Sequence, residues 1–265
     1  MNKTLINSLP KSGTNLVAKC LDIFGYKQKG HFGATINLNN KLLNLIANYY
    51  KPQEDNGFIS GIDSPILKHK FFINYGLNNL TDKQYITAHN GYNDDLIKLL
   101  SLKEIKGIIV IRDPRAIIAS SVKYISQLKK HPFHNKLISI KEKDRYLKIL
   151  NGFTSHNRAY KSVIERYQSI NTWLDNNDIL KIKFEEIIGP KGGGDITLMD
   201  DTLHNLCDFI NIDKNKIEHV KKTLFGPGRV TFRKGQINSW QEEIPKDIQT
   251  IIEKELEFIL DKLNY

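Results

Sequence analysis

Along the chain, short apolar runs alternate with stretches in which apolar residues recur every three or four positions. Residues 4–9 (TLINSL) read as a strand. Residues 14–24 then set Leu16, Val17, Leu21 and Phe24 on one helical face and stop at Gly25. A short strand is expected over 84–88, followed by a helix over 93–100 capped by Asn93 or Asp94. Residues 107–111 (GIIVI) are continuously apolar, the pattern of a central parallel strand covered on both faces. Pro114 suits the first turn of a helix carrying Ile117, Ile118, Ser121, Val122 and Ile125. Another strand is expected over 179–184, with helices over 202–209, 214–224 and 246–263. Much of 141–176 reads as helical, broken near 151–152. Residues 31–82, rich in Asn, Gly and aromatics, predict loops with one helix near 40–50. The run GPKGGGD (189–195) predicts a turn, because three consecutive glycines are costly to hold in either regular structure. With no repeat and no linker, the pattern predicts a single α/β domain over residues 1–265, its mostly parallel central sheet flanked by helices.

Charge narrows the partners. Lys+Arg 39 against Asp+Glu 29 gives a formal net charge of +10, which favours nucleic acid, nucleotide, polyanion or acidic membrane without choosing among them. Cys20 and Cys207 each lie in a helical apolar pattern and read as isolated buried thiols, with neither a disulfide framework nor a metal-knuckle spacing. No apolar run approaches the roughly 18 residues of a membrane span. The N-terminus lacks the apolar stretch of a secretory signal, so a cytoplasmic location is the expectation.

Ligands of parallel α/β sheets bind at the C-terminal ends of the strands, and three polar clusters fall at such ends. The first is Pro10-Lys11-Ser12-Gly13-Thr14, where loop and helix-start N–H groups can surround an oxyanion and Lys11 adds a full charge. It is not the nucleotide signature G-x-x-x-x-G-K-[ST], since here the lysine precedes the glycine. The second is Arg112 with Ser120 and Ser121 in IVIRDPRAIIASS, a guanidinium fork and a hydroxyl able to share one phosphate. The third is Arg233-Lys234-Gly235, two cations beside a residue that lets backbone approach a ligand. Each alone also fits a structural turn, a helix cap or a solvated loop.

Together, in this order, the clusters resemble the sulfotransferases that use 3′-phosphoadenylyl sulfate (PAPS), over nearly the whole chain. The resemblance implies a P-loop NTPase-like sulfotransferase fold. It implies that PKSGT, with Asn15 after it, holds the 5′-phosphosulfate, and that Arg112, Ser120 and the late Arg233-Lys234-Gly235 hold the 3′-phosphate. FEEIIGPKGGG (184–194) looks like bacterial members of the group. His89, in YITAHNGY just past a strand end, matches the family's catalytic histidine. A neutral imidazole there can take a proton from an acceptor hydroxyl. Leu16 stands where many animal members carry a tryptophan that stacks on adenine, Thr87 where a lysine often precedes the histidine, and Phe184 where a tyrosine is usual.

The resemblance thus implies transfer of a sulfuryl group from PAPS to a hydroxyl or amine, leaving adenosine 3′,5′-bisphosphate. His89 would be the base, Lys11 would stabilise the leaving group, and no metal is required. The expected partner is a small-molecule or carbohydrate acceptor, with no specific nucleic acid and no membrane span. Residues 30–80 and the loop near 129–141 would select that acceptor. A P-loop nucleotide kinase and a non-catalytic polyanion-binding module are the competing readings. The pair His131 and His134 has a metal-like separation but no carboxylate or thiol ligand beside it.

Overall fold

The structure, a computed structural model, describes residues 2–155, 157–226 and 235–265. Among these lie ten strands: β1 (Lys3–Ser8), β2 (Lys27–Phe32), β3 (Ile36–Leu38), β4 (Gly57–Ser60), β5 (Ile66–His69), β6 (Gln84–Ala88), β7 (Ile105–Ile111), β8 (Phe153–Ser155), β9 (Arg158–Tyr160) and β10 (Ile179–Lys183). Six build the central sheet in the order β10-β7-β1-β6-β2-β3. All its pairings are parallel except the last, where β3 folds back on β2. β4–β5 and β8–β9 are separate antiparallel hairpins.

Strand alternation divides the core into two layers. Leu5, Ile86 and Ile109 face one way, onto helices Lys70–Asn78, Asp94–Leu102, Pro114–Gln127 and Lys246–Leu263. Ile6, Tyr85, Ile108 and Val110 face the other, onto helices Thr14–Phe24 and Ile196–Ile210. The fold is therefore the mostly parallel α/β sheet with helices on both faces that the sequence predicts. Helix Thr14–Phe24 stops at Gly25, whose φ of 98° fits a left-handed C-cap. Cys20 and Cys207 are free, buried thiols in the second layer.

Two segments depart from expectation. Residues 31–82 contain the expected helix, Lys41–Tyr49 capped by Asn40. They also contain β3, the β4–β5 hairpin and helix Lys70–Asn78, and β2 runs into them. β2 reads KQKGHF, with Phe32 its one buried residue, so no apolar alternation announces it. Over 141–176 one broken helix was expected. Instead there are three short helices (Asp144–Asn151, Val163–Gln168 and Asn171–Asp175) with β8–β9 after the first. The break does fall at Gly152, but strands of three residues are too short for a period to register.

Arg166 joins these irregular segments to the loop of the β4–β5 hairpin. Its side chain is 1% exposed and its Nη1 donates to Asp63 Oδ1 at 3.1 Å. Asp63 is thereby committed to a buried charge. Removing it strands the guanidinium, so Asp63→Ala is expected to lower unfolding stability by about 3 kcal/mol. Adding Arg166→Met should recover most of that loss. Urea denaturation of both variants measures this, and additive losses would show that the pair is not coupled.

Candidate active site

The turn after β1 holds two residues in the left-handed region, Lys11 (φ 73°) and Gly13 (φ 97°). Gly13 is fixed twice over. A Cβ there would meet Phe184 Cδ2 at 2.5 Å, besides being strained at that φ. Gly13 is also the N-cap of helix Thr14–Phe24, and no side chain caps that end. Leu16 N–H turns back to the Gly13 carbonyl at 2.8 Å, while the Thr14 and Asn15 N–H groups stand at the helix start, where no intrahelical acceptor exists. Ser12 is 1% exposed, and its hydroxyl has no hydrogen-bond partner among the described residues. Lys11 Nζ lies 3.9 Å from the centre of the Tyr124 ring.

Arg112 leaves the end of β7 and reaches across to that turn, where Nη1 donates to the Lys11 carbonyl at 2.9 Å. Its guanidinium stacks on Phe184, 4.3 Å from the ring centre. Glu185 braces the same corner. Its Oε1 accepts from Asp113 N–H at 3.1 Å and its Oε2 from the Tyr265 hydroxyl at 2.6 Å. Asp113 in turn caps helix Pro114–Gln127. Phe184 is thus a wedge between Gly13 and Arg112, a role that needs no phenolic hydroxyl.

His89 follows β6, whose Ala88 pairs with Asn7 of β1. The Asn7 amide brackets residue 90, donating to its carbonyl at 2.8 Å and accepting from its N–H at 2.9 Å. His89 Nδ1 lies 2.9 Å from the Ser8 carbonyl oxygen, which can only accept, so Nδ1 carries the proton and Nε2 keeps its lone pair. The Ser8 hydroxyl, 3.2 Å from the same nitrogen, is 2.5 Å from the Thr14 hydroxyl. Burial pushes the His89 pKa down to about 4; Lys11 adds to this and the Ser8 bond opposes it. A second imidazole, His31, lies 5.0 Å away edge-on. Burial and His89 push its pKa down to about 3. His31 Nδ1 is 3.0 Å from the Thr87 hydroxyl, which also accepts from Gln28 at 3.0 Å.

Lys11, Thr14, His31, Thr87, His89 and Arg112 border one cavity of about 930 Å³. Its wall includes Lys11, Gly13, Thr14, Asn15, His89, Arg112, Ser120 and Gly235 among the residues predicted from sequence, with Leu16 and Phe184 beside them. Ser12 lies behind the turn and is not in the wall. Arg233 and Lys234 lie outside the described residues. Gly235 is held by the glycine run, where Ile237 N–H donates to Gly192 O at 2.9 Å. A Cβ on Gly192 would stand 2.7 Å from the Gly235 carbonyl, so close approach explains that glycine. His131 also borders the cavity, whereas His134 Nδ1 is 2.9 Å from the Ile125 carbonyl. Lys19, Gln28 and His31 are wall residues that sequence reasoning missed. Lys19 follows Asn15 by one helical turn, a spacing that could have found it; the two on β2 carried no such signal.

A mostly parallel α/β fold with its polar loops gathered at the strand ends is one of the architectures that handle phosphate-bearing ligands. The chain matches the sulfotransferase domain over residues 1–262 and belongs to that family. Among solved structures, it is similar in fold to mouse sulfotransferase SULT7A1, determined in complex with PAP. The TM-score is 0.65 at 15% identity, over 98% of this chain and 84% of that one. Retinol dehydratase, determined with retinol and PAP, gives a TM-score of 0.58 at 13% identity, over 98% and 81%. Among curated proteins no sequence matches the chain.

The two imidazoles make a pH signature. Both bind a proton more weakly in the folded chain than at their ordinary value near 6.5. From about pH 6.5 down to about pH 4, protons therefore favour the unfolded chain, and stability falls as pH falls. NMR titration should leave the His89 and His31 ring signals in the neutral form at pH 5, and a midpoint near 6.5 for either would contradict the geometry.

Proposed function

We propose that the chain moves a sulfuryl group from PAPS to a hydroxyl or amine, with adenosine 3′,5′-bisphosphate as the second product. The observation that carries this is the turn of residues 10–14. A helix start that no side chain caps and a lysine meet there on the cavity wall, beside an arginine rooted on the neighbouring strand. Such groups fit an oxyanion. Arg112 and Ser120 border the same cavity and fit a second phosphate, which PAPS carries on its 3′-oxygen and ATP lacks. The PAP bound in the similar structures supports the same reading.

The donor supplies an activated sulfuryl group on a phosphate leaving group. His89 takes the acceptor's proton at Nε2, which is free of a proton at neutral pH. The Ser8 carbonyl holds the ring and stabilises the imidazolium once it forms. Lys11 and the amides of Gly13, Thr14 and Asn15 offset negative charge on the leaving oxygen, typically the largest contribution in such chemistry; the Ser12 N–H, expected among them from sequence, donates instead to the Leu9 carbonyl at 3.2 Å. Arg233, Lys234 and Gly235 are assigned to the 3′-phosphate by their match to the family pattern. In this reading the acceptor is taken by the cavity wall contributed by residues 34–35, 48–51, 61–64, 66–68, 131–133, 158 and 160.

Calorimetry in EDTA tests the donor. Adenosine 3′,5′-bisphosphate should bind in preference to ATP, and equal or stronger ATP binding would favour a kinase. His89→Ala is expected to lower kcat by about 10²- to 10⁴-fold while leaving bisphosphate affinity near wild type. Arg112→Ala should instead weaken bisphosphate binding by roughly 10- to 100-fold, the range for a charged hydrogen-bonding partner. An unchanged dissociation constant in that variant would remove Arg112 from the donor site.

A further inference from the structure

The part of the cavity away from the donor turn holds a charge that the protein does not balance. Lys68, on β5, is 3% exposed, yet its ammonium bonds only the neutral Asn48 Oδ1, at 3.2 Å. No carboxylate among the described residues comes within 4.0 Å of Lys68 or of Arg158. The segments outside the described residues contain no Asp or Glu. Asp63 is the one carboxylate among the wall residues, and it is already held by Arg166 at 3.1 Å.

Burying an ammonium against a neutral amide is costly, because its hydration is lost and no counter-charge replaces it. The Lys68 pKa is accordingly lowered, first by burial and then by Arg158. Arg158 on β9 and Lys51 after helix Lys41–Tyr49 border the same cavity. Three cations from three separate elements thus border one cavity, and Arg158 is near enough to Lys68 to act on its charge. Lys11, Lys19 and Arg112 already serve the donor end, so the donor does not account for them. The wall around them is largely apolar or aromatic, including Tyr50, Ile66, Leu67 and Phe133.

We propose that the acceptor is an anion: a hydroxyl or amine compound with an apolar body whose carboxylate, sulfate or phosphate group is held by Lys68 and Arg158. This rests on the donor assignment above, since it takes the rest of the cavity as the acceptor's. The ligand's oxyanion completes the pairing that Lys68 lacks, and an Arg fork beside a Lys suits planar or tetrahedral oxygens alike. The unbalanced cation then serves specificity. A neutral analogue would leave it buried without a counter-charge, and so would be rejected.

The test uses the full chain with adenosine 3′,5′-bisphosphate at saturation, so that the donor end is filled. Binding of 3-phenylpropionate, phenyl sulfate and phenyl phosphate is compared with that of the neutral 3-phenylpropanamide, by calorimetry and thermal shift. At least one anion should bind about tenfold or more tightly than the amide, the usual gain for a hydrogen bond to a charged group. In Lys68→Met and Arg158→Met that ratio should fall to about one. Which anion binds best distinguishes a carboxylate from an ester of sulfate or phosphate. Equal binding of amide and anions, or a ratio that survives both substitutions, overturns the proposal. Arg158 is exposed, so its variant keeps the comparison open if Lys68→Met does not fold. Failure of the donor assignment would register separately, as an absence of bisphosphate binding in the wild-type chain.

Discussion

The site depends on one guanidinium. Arg112 is rooted at the end of β7, hydrogen-bonds the carbonyl of Lys11 beyond β1, and stacks on Phe184 beyond β10. Three strand ends, far apart in sequence, are locked together by one planar cation. The register of the parallel sheet makes this possible, since Ser8 pairs with Val110 and Lys183 with Ile111. The residues that follow each strand then emerge along one edge. The same logic places His89 beside Ser8, because Asn7 pairs with Ala88. A one-residue slip in any of these pairings would turn a functional side chain away from the edge.

Phe184 shows how the corner tolerates a change from the family pattern. As a departure in sequence it reads as a lost hydroxyl. In the structure its ring fills the gap left by Gly13 and carries the guanidinium of Arg112. Both tasks belong to the aromatic face, so the substitution keeps what the corner uses. Thr87, the other departure, near His89, has instead gained partners in His31 and Gln28 from the adjacent strand. The environment of His89 is therefore less cationic than a lysine at position 87 would make it.

What could be read from the sequence follows from how local each signal is. The turn of residues 10–14, the helix start at Pro114 and the stop at Gly25 were legible because Gly and Pro constrain the backbone where they stand. Helix Lys246–Leu263 was legible because its apolar stripe is long enough to show a period. β2 was not, since a polar strand near the sheet edge owes its place to pairing with β6 and carries no pattern of its own. His31 and Gln28 were lost with it. The glycine run was read as a turn, but its reason, the approach of Gly192 to Gly235, lies 43 residues away and cannot be seen locally.

Lys68 marks the limit of local reading most sharply. In sequence it is one lysine among many in a strongly basic chain, indistinguishable from the solvated ones. Its meaning comes from burial without a carboxylate, which exists only once β4–β5, helix Lys41–Tyr49 and β9 have come together. Net charge says that an anion is welcome somewhere. The fold divides that welcome between the turn of residues 10–14 with Arg112, built from backbone and arginine, and a separate region where side chains alone carry the charge. Backbone amides suit a ligand group common to every turnover, while side chains can be exchanged without disturbing the sheet. An acceptor site built, as proposed, from Lys68 and Arg158 would therefore be the part of the cavity that can change its substrate while the proposed donor site stays fixed.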